Sequence, residues 1–447
     1  MRARSKRCTP SEPPRPWAHR LNLVGIQVVL RAILVLGAFL ALPSVALGSD
    51  CTRTSVGLTP LDDLGTDTYQ GVQGGLYPGG SRARPAGHEV AGQLLADAVV
   101  PRDAVGTPSA GGRYGLLSIG MSNTTQEFSQ FIPLANADPA KDPRLVPVDG
   151  AQGGQTAQAW SDPNAAAWDV ADQRIAAAGL SPSQISVAWV KLADAGPTNG
   201  WPAYAQTLQA RTEQVVQNLH ERYPNLTLVY LSSRIYAGYA STMLNPEPYA
   251  YEGGFSVKWL VEDQIDGSTA LNFDQARGPV EAPWLSWGPY LWADGLAARS
   301  DGLTWECSDL AADGTHPSTA GQIKVAQMLL DFFKADSTAR LWFSPPAQTG
   351  RAVTLTLRKH LVARGEVAAT GFVGCEQGAA VNVQRRRRGR WRGAGSAVTD
   401  ASGAFRVRLR DRPGRYRAEL TAGTTGAEGT EACQGAVSEL QRHRDRH

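Results

Sequence analysis

Three short segments carry residue types that perform acyl chemistry. Gly120-Met121-Ser122-Asn123 follows an apolar run and precedes a helical pattern, so the Ser122 hydroxyl is expected at a strand-to-helix turn. Its own N–H then lies near a helix N-terminus, where negative charge is stabilised. Asp313-Gly-Thr-His316-Pro317 stands just before the last long helical pattern. A serine nucleophile needs a base to take its proton and a carboxylate to fix the tautomer of that base. An Asp three residues before a His on a turn holds both on one side. His316 then reaches Ser122 through one ring nitrogen and Asp313 through the other. The other six histidines (His19, His88, His220, His360, His443 and His447) have no Asp at that spacing. Asp149-Gly-Ala-Gln-Gly153-Gly154-Gln155-Thr156 follows a second apolar run, and its glycine pair lets a backbone N–H approach an oxyanion. Each segment also has an ordinary reading, as helix cap, surface loop or tight turn.

The elements that must position these residues alternate between strand and helix. Tyr114–Ile119, Leu145–Val148, Ile185–Val190 and Leu226–Leu231 read as buried strands. Thr124–Asn136, Ala165–Ala178, Pro202–Arg222 and Ala320–Lys334 read as helices, with a further helical stretch near His88–Ala98. Such alternation implies a mostly parallel sheet covered on both faces, with function at the carboxyl ends of the strands. The segment 236–305 is rich in aromatics and proline. It is expected to be a long insertion over the top of the sheet. Its aromatics (Tyr236, Tyr239, Tyr249, Tyr251, Trp284, Trp287, Tyr290, Trp292) either line a substrate cleft or pack as a lid.

The order of the segments resembles the block layout of the SGNH (GDSL-like) hydrolases over roughly residues 110–335. Gly120-Met121-Ser122-Asn123 and Gly153-Gly154-Gln155-Thr156…Trp160 are similar to blocks of its carbohydrate acetylesterase branch, and Asp313-Gly-Thr-His316-Pro317 to the superfamily's last block. The resemblance implies a three-layer, flavodoxin-like α/β fold and an acyl-enzyme route without metal or organic cofactor. It implies Ser122 as nucleophile, His316 as base and Asp313 as acid. Ser122 and Gly154 are implied as oxyanion donors. The third block departs from the family: where an Asn is usual, the chain reads Trp189-Val-Lys191-Leu-Ala-Asp194. An ionised Asp cannot donate to an oxyanion, so Lys191 or the nearby Asn199 is the expected substitute.

The flanks point to export. Residues 1–31 hold seven Arg/Lys and one Glu, and Ala32–Leu42 is an uninterrupted apolar run before Pro43 and Ala46-Leu47-Gly48. This describes a secretory signal peptide over residues 1–48, with an uncleaved anchor as the alternative. Beyond the leader's Cys8 the chain has Cys51, Cys307, Cys375 and Cys433. In an oxidising compartment these read as two disulfides, Cys51–Cys307 and Cys375–Cys433, each within one expected domain. No spacing resembles a zinc site.

Charge divides the chain further. The net +3 combines +6 for 1–48, −13 for 49–348 and +10 for 349–447, where 19 basic and 9 acidic side chains lie. Two units are therefore expected, 49–345, the hydrolase, and 349–436, a small β-sandwich that resembles Ig-like modules in its strand pattern and its Ser402-Gly403-Ala404-Phe405 turn. A charged tail, 437–447, would end the chain. Val353–Leu357, Ala379–Gln384 and Gly403–Leu409 alternate as strands do. Arg385–Arg388, Arg390 and Arg392 surround Trp391, either as a solvated hairpin or as a contact for an anionic surface polymer. Nucleic acid is not an expected partner of an exported protein. The expected activity is a secreted carboxylic-ester hydrolase, with acetylated carbohydrate as substrate. The alternatives are a lipid or aryl esterase, or a non-catalytic surface-binding protein on a hydrolase fold.

Overall fold

The computed structural model describes residues 48–345, 347–370, 374–425 and 431–444. The expected leader lies outside them, save Gly48. Five strands form a wholly parallel sheet: β1 (Tyr114–Gly120), β2 (Leu145–Asp149), β3 (Ile185–Lys191), β4 (Leu228–Ser232) and β5 (Trp284–Trp287). Their order is β2-β1-β3-β4-β5, which is the doubly-wound order of flavodoxin-like sheets. Every residue of β1, β3, β4 and β5 is buried, as expected where helices cover both faces. The α-helices of five or more residues are α1 (Ala86–Asp97), α2 (Ser122–Ala137), α3 (Ala157–Ser161), α4 (Ala166–Ala177), α5 (Ala203–Arg222), α6 (Tyr249–Ile265) and α7 (Thr319–Ala335) among the described residues. α2 packs on α7, and α5 packs on α3 and α6.

The aromatic segment differs from its expectation. It is no insertion above the sheet: it supplies α6 and the edge strand β5. Tyr236, Tyr239, Tyr251, Trp284, Trp287, Tyr290 and Trp292 are core residues. α6 is buried nearly all round, from Ala250 to Lys258 without a break, so its sequence has no polar face to reveal a helical period.

Among its described residues the C-terminal part is built of β-strands, with one short 3-10 turn at Lys359–Leu361. Its strands are β6 (Ala347–Val353), β7 (Thr356–Arg358), β8 (Val362–Thr370), β9 (Ala380–Arg387), β10 (Arg390–Val398), β11 (Ala404–Arg408), β12 (Gly414–Leu420), β13 (Gly423–Thr425), β14 (Glu431–Cys433), β15 (Ala436–Val437) and β16 (Gln441–His443). One sheet runs β11-β8-β6-β14-β13 with β7 on β8, the other β10-β9-β12-β15 with β16 on β12. All pairs are antiparallel except β14 with β6. A separate apolar cluster around Val381, Val383, Phe405 and Tyr416 forms the core of this part. The sheet reaches His443, inside the stretch read from sequence as a tail.

Disulfides join Cys51 to Cys307 and Cys375 to Cys433. Among the described residues no helix is long and apolar enough to cross a membrane.

Candidate active site

β1 ends at Gly120, Met121 is extended, and α2 begins at Ser122. The serine therefore stands at the carboxyl edge of the sheet, in the first turn of a helix. Its Oγ lies 2.8 Å from His316 Nε2. His316 Nδ1 lies 2.6 Å from Asp313 Oδ2. The other carboxylate oxygen, Oδ1, accepts the backbone N–H groups of Thr315 and His316, both at 3.0 Å. Burial pushes the Asp313 carboxyl up, but the hydrogen bonds from the His316 ring and these two N–H groups outweigh it and hold it below its ordinary value. An ionised Asp313 fixes the tautomer with Nδ1–H, which leaves Nε2 free to accept the Ser122 proton.

The 313–316 loop is fastened on several sides. Gly314 has φ of +65°, and a Cβ there would come within 2.0 Å of the Tyr239 carbonyl, so only glycine fits. Ser241 N–H donates to the Asp313 carbonyl at 3.2 Å and Ala311 N–H to the His316 carbonyl at 2.7 Å. The Thr315 carbonyl accepts from Asn123 Nδ2 and from Arg234 Nη2, each at 3.0 Å. Ser318 then caps α7 by accepting from Gly321 N–H.

The glycine loop after β2 lies against the serine. Gln152 N–H and Trp160 Nε1 both donate to the Gly120 carbonyl, at 3.0 and 3.2 Å. A Cβ at Gly153 would stand 4.0 Å from Ser122 Cβ, and Gly154, at φ +77°, faces open space. Asp149 anchors the loop's base, accepting from the hydroxyls of Ser118 and Thr125 and from Ala151 N–H.

Ser122, Gly154 and His316 line one cavity of about 290 Å³, together with Leu192, Ala193 and Leu244. Lys191 and Arg234 also border it. Lys191, expected as a third oxyanion donor, directs its ammonium to both oxygens of the fully buried Glu127. Burial pushes the Glu127 carboxyl up and the Lys191 ammonium down, each opposed by the charge of the other. Asp194 faces away: its carboxylate accepts from Gln158 N–H at 3.2 Å and pairs with Arg211 at 2.6 Å. Asn199 is exposed and is not part of the lining. None of the eight aromatics singled out from the sequence lines the cavity; seven lie in the core and Tyr249 is partly buried against it.

Two participants were not singled out from sequence. Glu127 sits five residues after Ser122 on α2, inside the run Gln126-Glu127-Phe128, with nothing local to mark it as buried. Arg234 follows the apolar strand as Ser232-Ser233-Arg234-Ile235. A cation at the carboxyl end of a buried strand is the signal that points to it. Among the described residues no three His, Cys, Asp or Glu side chains converge as a metal site.

No protein-family model matches the sequence, and no curated protein matches it. Among solved structures the chain is similar to a gut microbial diltiazem-metabolizing enzyme, at 13% identity and TM-score 0.29, with 68% of each chain covered. It is similar to a salicylyl acyltransferase from a tetracycline biosynthetic pathway, at 14% and 0.28, over 52% of this chain and 58% of that one. It is also similar to the periplasmic domain of a lipopolysaccharide acetyltransferase of Salmonella serovar Paratyphi A, at 11% and 0.26, over 55% and 95%. These scores assign the chain to no family. What it does rests on its own side chains.

Proposed function

We propose that the chain is an exported serine esterase of the SGNH kind that cleaves carboxylic esters through an acyl-enzyme. The observation that carries this reading is the hydrogen-bonded relay from Ser122 Oγ through the His316 ring to Asp313, at 2.8 and 2.6 Å, on the wall of a cavity of about 290 Å³. His316 Nε2 removes the hydroxyl proton as Ser122 Oγ attacks the ester carbonyl. The imidazolium is stabilised by Asp313. Charge on the carbonyl oxygen is met by the N–H groups of Ser122 and Gly154, aided by the N-terminus of α2. The alcohol leaves with the proton held by His316. Water, deprotonated by the same nitrogen, then attacks the acyl-enzyme and releases the acid.

A cavity of this volume lies at the small end of ligand pockets. This supports a short acyl group such as acetyl, as in a carbohydrate O-acetylesterase, over a long lipid chain. Two disulfides support an oxidising, extracytoplasmic compartment. The test is labelling of the purified protein with a fluorophosphonate, located by peptide mass spectrometry, with rates measured on acetyl, butanoyl and octanoyl esters. Label on Ser122 that is lost in Ser122→Ala and His316→Ala, with rates falling as the acyl chain lengthens, is the expected result. Folded protein that takes no label would overturn the enzyme reading in favour of a binding protein. Octanoyl preference would move the substrate class to lipids.

A further inference from the structure

The β part carries a charge pattern that strand pairing alone penalises. Arginines stand directly opposite one another across four ladder positions: Arg364 with Arg406, Arg385 with Arg392, Arg387 with Arg390, and Arg415 with Arg442. Like charges directly opposite in a sheet are destabilising. Arg385 turns its guanidinium to the Pro413 carbonyl. Among the described residues, the ion pairs of this part are Arg417 with Glu419 and His443 with Asp411. The other arginines of these four positions have no carboxylate partner there.

The pairings gather part of this charge onto one face. On β12, Arg415 and Arg417 alternate with the buried Tyr416 and Ala418, so both point outward. Exposed Arg442 on β16 stands opposite Arg415. On β9, Arg386 is exposed and stands opposite Trp391 of β10. The Trp391 ring lies 4.5 Å from the Arg417 guanidinium, which places the indole on the same outer face. Glu419, the nearby acid, is already engaged by Arg417 and Gln384. Charged side chains often guard open sheet edges, but β12 lies between β9 and the pair β15–β16, so edge protection does not account for Arg415.

We propose that the outer face bearing Arg386, Trp391, Arg415, Arg417 and Arg442 binds a linear polysaccharide rich in carboxylates. Guanidinium forks match planar carboxylates, and an indole face stacks on sugar rings. Val398 and Val437 are also exposed on this side of the sheet, opposite Ala380 and Glu419, but arginines outnumber them around Trp391. The arginine hairpin evident from sequence is one corner of this surface. The rest is assembled by β12 and β16, from residues 415 to 442.

The experiment titrates the mature, disulfide-bonded chain against a uronic acid homopolymer, inorganic polyphosphate, a neutral glucan and anionic phospholipid vesicles at about 0.15 M salt, where exposed charges are already well screened. The uronate polymer is expected to bind and the neutral glucan is not. The variant Arg386→Gln/Arg415→Gln/Arg442→Gln is expected to bind about tenfold more weakly or worse. It should hydrolyse a small soluble ester at the parent rate and unfold at the same or higher urea concentration, because the repulsion between Arg415 and Arg442 is gone. Trp391→Ala is expected to weaken binding without changing its salt dependence. Should the triple variant not fold, Arg442→Gln alone, on the last described strand, is expected to weaken uronate binding. Uronate affinity unchanged in these variants would overturn the proposal. So would polyphosphate or vesicles binding as tightly as uronate with Trp391→Ala silent.

Discussion

Asn123 and Arg234 donate to one carbonyl, that of Thr315, each at 3.0 Å. The next residue is His316. Asn123 comes from the first turn of α2, beside the serine, and Arg234 from the end of β4. The nucleophile's helix and the base's loop are thereby tied to a shared point. Arg234 also holds the Leu244 carbonyl at 3.0 Å, and no carboxylate pairs with it among the described residues.

Arg234→Met is therefore expected to loosen the histidine loop. The Thr315 carbonyl keeps Asn123 but loses its second donor, and the part-buried Leu244 carbonyl loses the arginine; a hydrogen bond from a charged group is worth about 1.5–3 kcal/mol. kcat on a short-chain ester should fall more than KM rises, because the loss is in the alignment of His316 and not in substrate binding. Arg234→Lys has a single ammonium in place of a fork and should rescue only part of the loss. Steady-state kinetics with urea unfolding of both variants checks this. Equal kcat in all three proteins would remove Arg234 from the alignment of the base.

Asp313 makes a pH-dependent contribution of known sign. Its folded carboxyl lies below the ordinary value of 3.8, so the ionised form stabilises the fold above that value. The contribution is lost as pH falls through the depressed folded value. Asp313→Asn should be less stable than the parent near neutrality, and the gap should narrow as pH falls below the ordinary carboxyl value of 3.8. kcat should drop roughly 10⁴-fold at neutral pH, because an amide neither fixes the tautomer nor stabilises the imidazolium. Urea unfolding of both proteins across this range, with rates on an acetyl ester, reads both effects.

The first four strands were legible because each is a short apolar run ending in a polar or glycine residue. The edge strand β5 and helix α6 were not. Trp284–Trp287 sits among other aromatics, and α6 is buried without a break from Ala250 to Lys258, so neither shows a clear contrast between faces. The positions of Ser122, Asp313 and His316 could be singled out because their chemistry is local in sequence: a strand-to-helix turn and an Asp-x-x-His. Glu127 and Arg234, and the pairing that turns Lys191 away from an oxyanion role, were hidden because the partners are joined only in space. Glu127 and Lys191 are 64 positions apart, and Arg234 and Thr315 are 81 apart. The four cross-strand arginine pairs likewise emerge only from the register of the sheets.

The two disulfides should open in a fixed order. Cys375 and Cys433 are 1% and 5% exposed, whereas Cys51 is exposed and Cys307 half-buried. Reductant therefore reaches Cys51–Cys307 first. That bridge fastens the segment whose Ser49 N–H donates to the Ala312 carbonyl at 2.6 Å and whose Asp50 N–H donates to the Tyr239 carbonyl at 2.9 Å. Both bonds brace the loop that holds Asp313. Cys51→Ser/Cys307→Ser is expected to lose about 2–5 kcal/mol of stability and part of its kcat. Timed alkylation during dithiothreitol treatment, read by mass spectrometry, gives the order. Labelling of Cys375 before Cys51 would contradict it.

The Glu127–Lys191 pair sets a sharper test, because removing half of it and all of it should have opposite consequences. Both groups are buried beneath the serine. Lys191→Met leaves a carboxyl in a dry site without its counter-ion, a loss of about 3–5 kcal/mol. Burial already pushes Glu127 above its ordinary 4.5, and without the ammonium it rises further. A raised carboxyl stabilises the fold below its unfolded value and ceases to do so as pH climbs toward its folded value. The single variant should therefore be closer to the parent in stability at about pH 4 than at about pH 7. Glu127→Leu/Lys191→Met, with apolar side chains in place of both, should recover most of the stability at either pH. If that double variant folds and keeps the parent kcat, the pair only fills the floor of the site. If it folds and loses kcat, the Lys191 ammonium contributes to the field at the oxyanion despite its bond to Glu127.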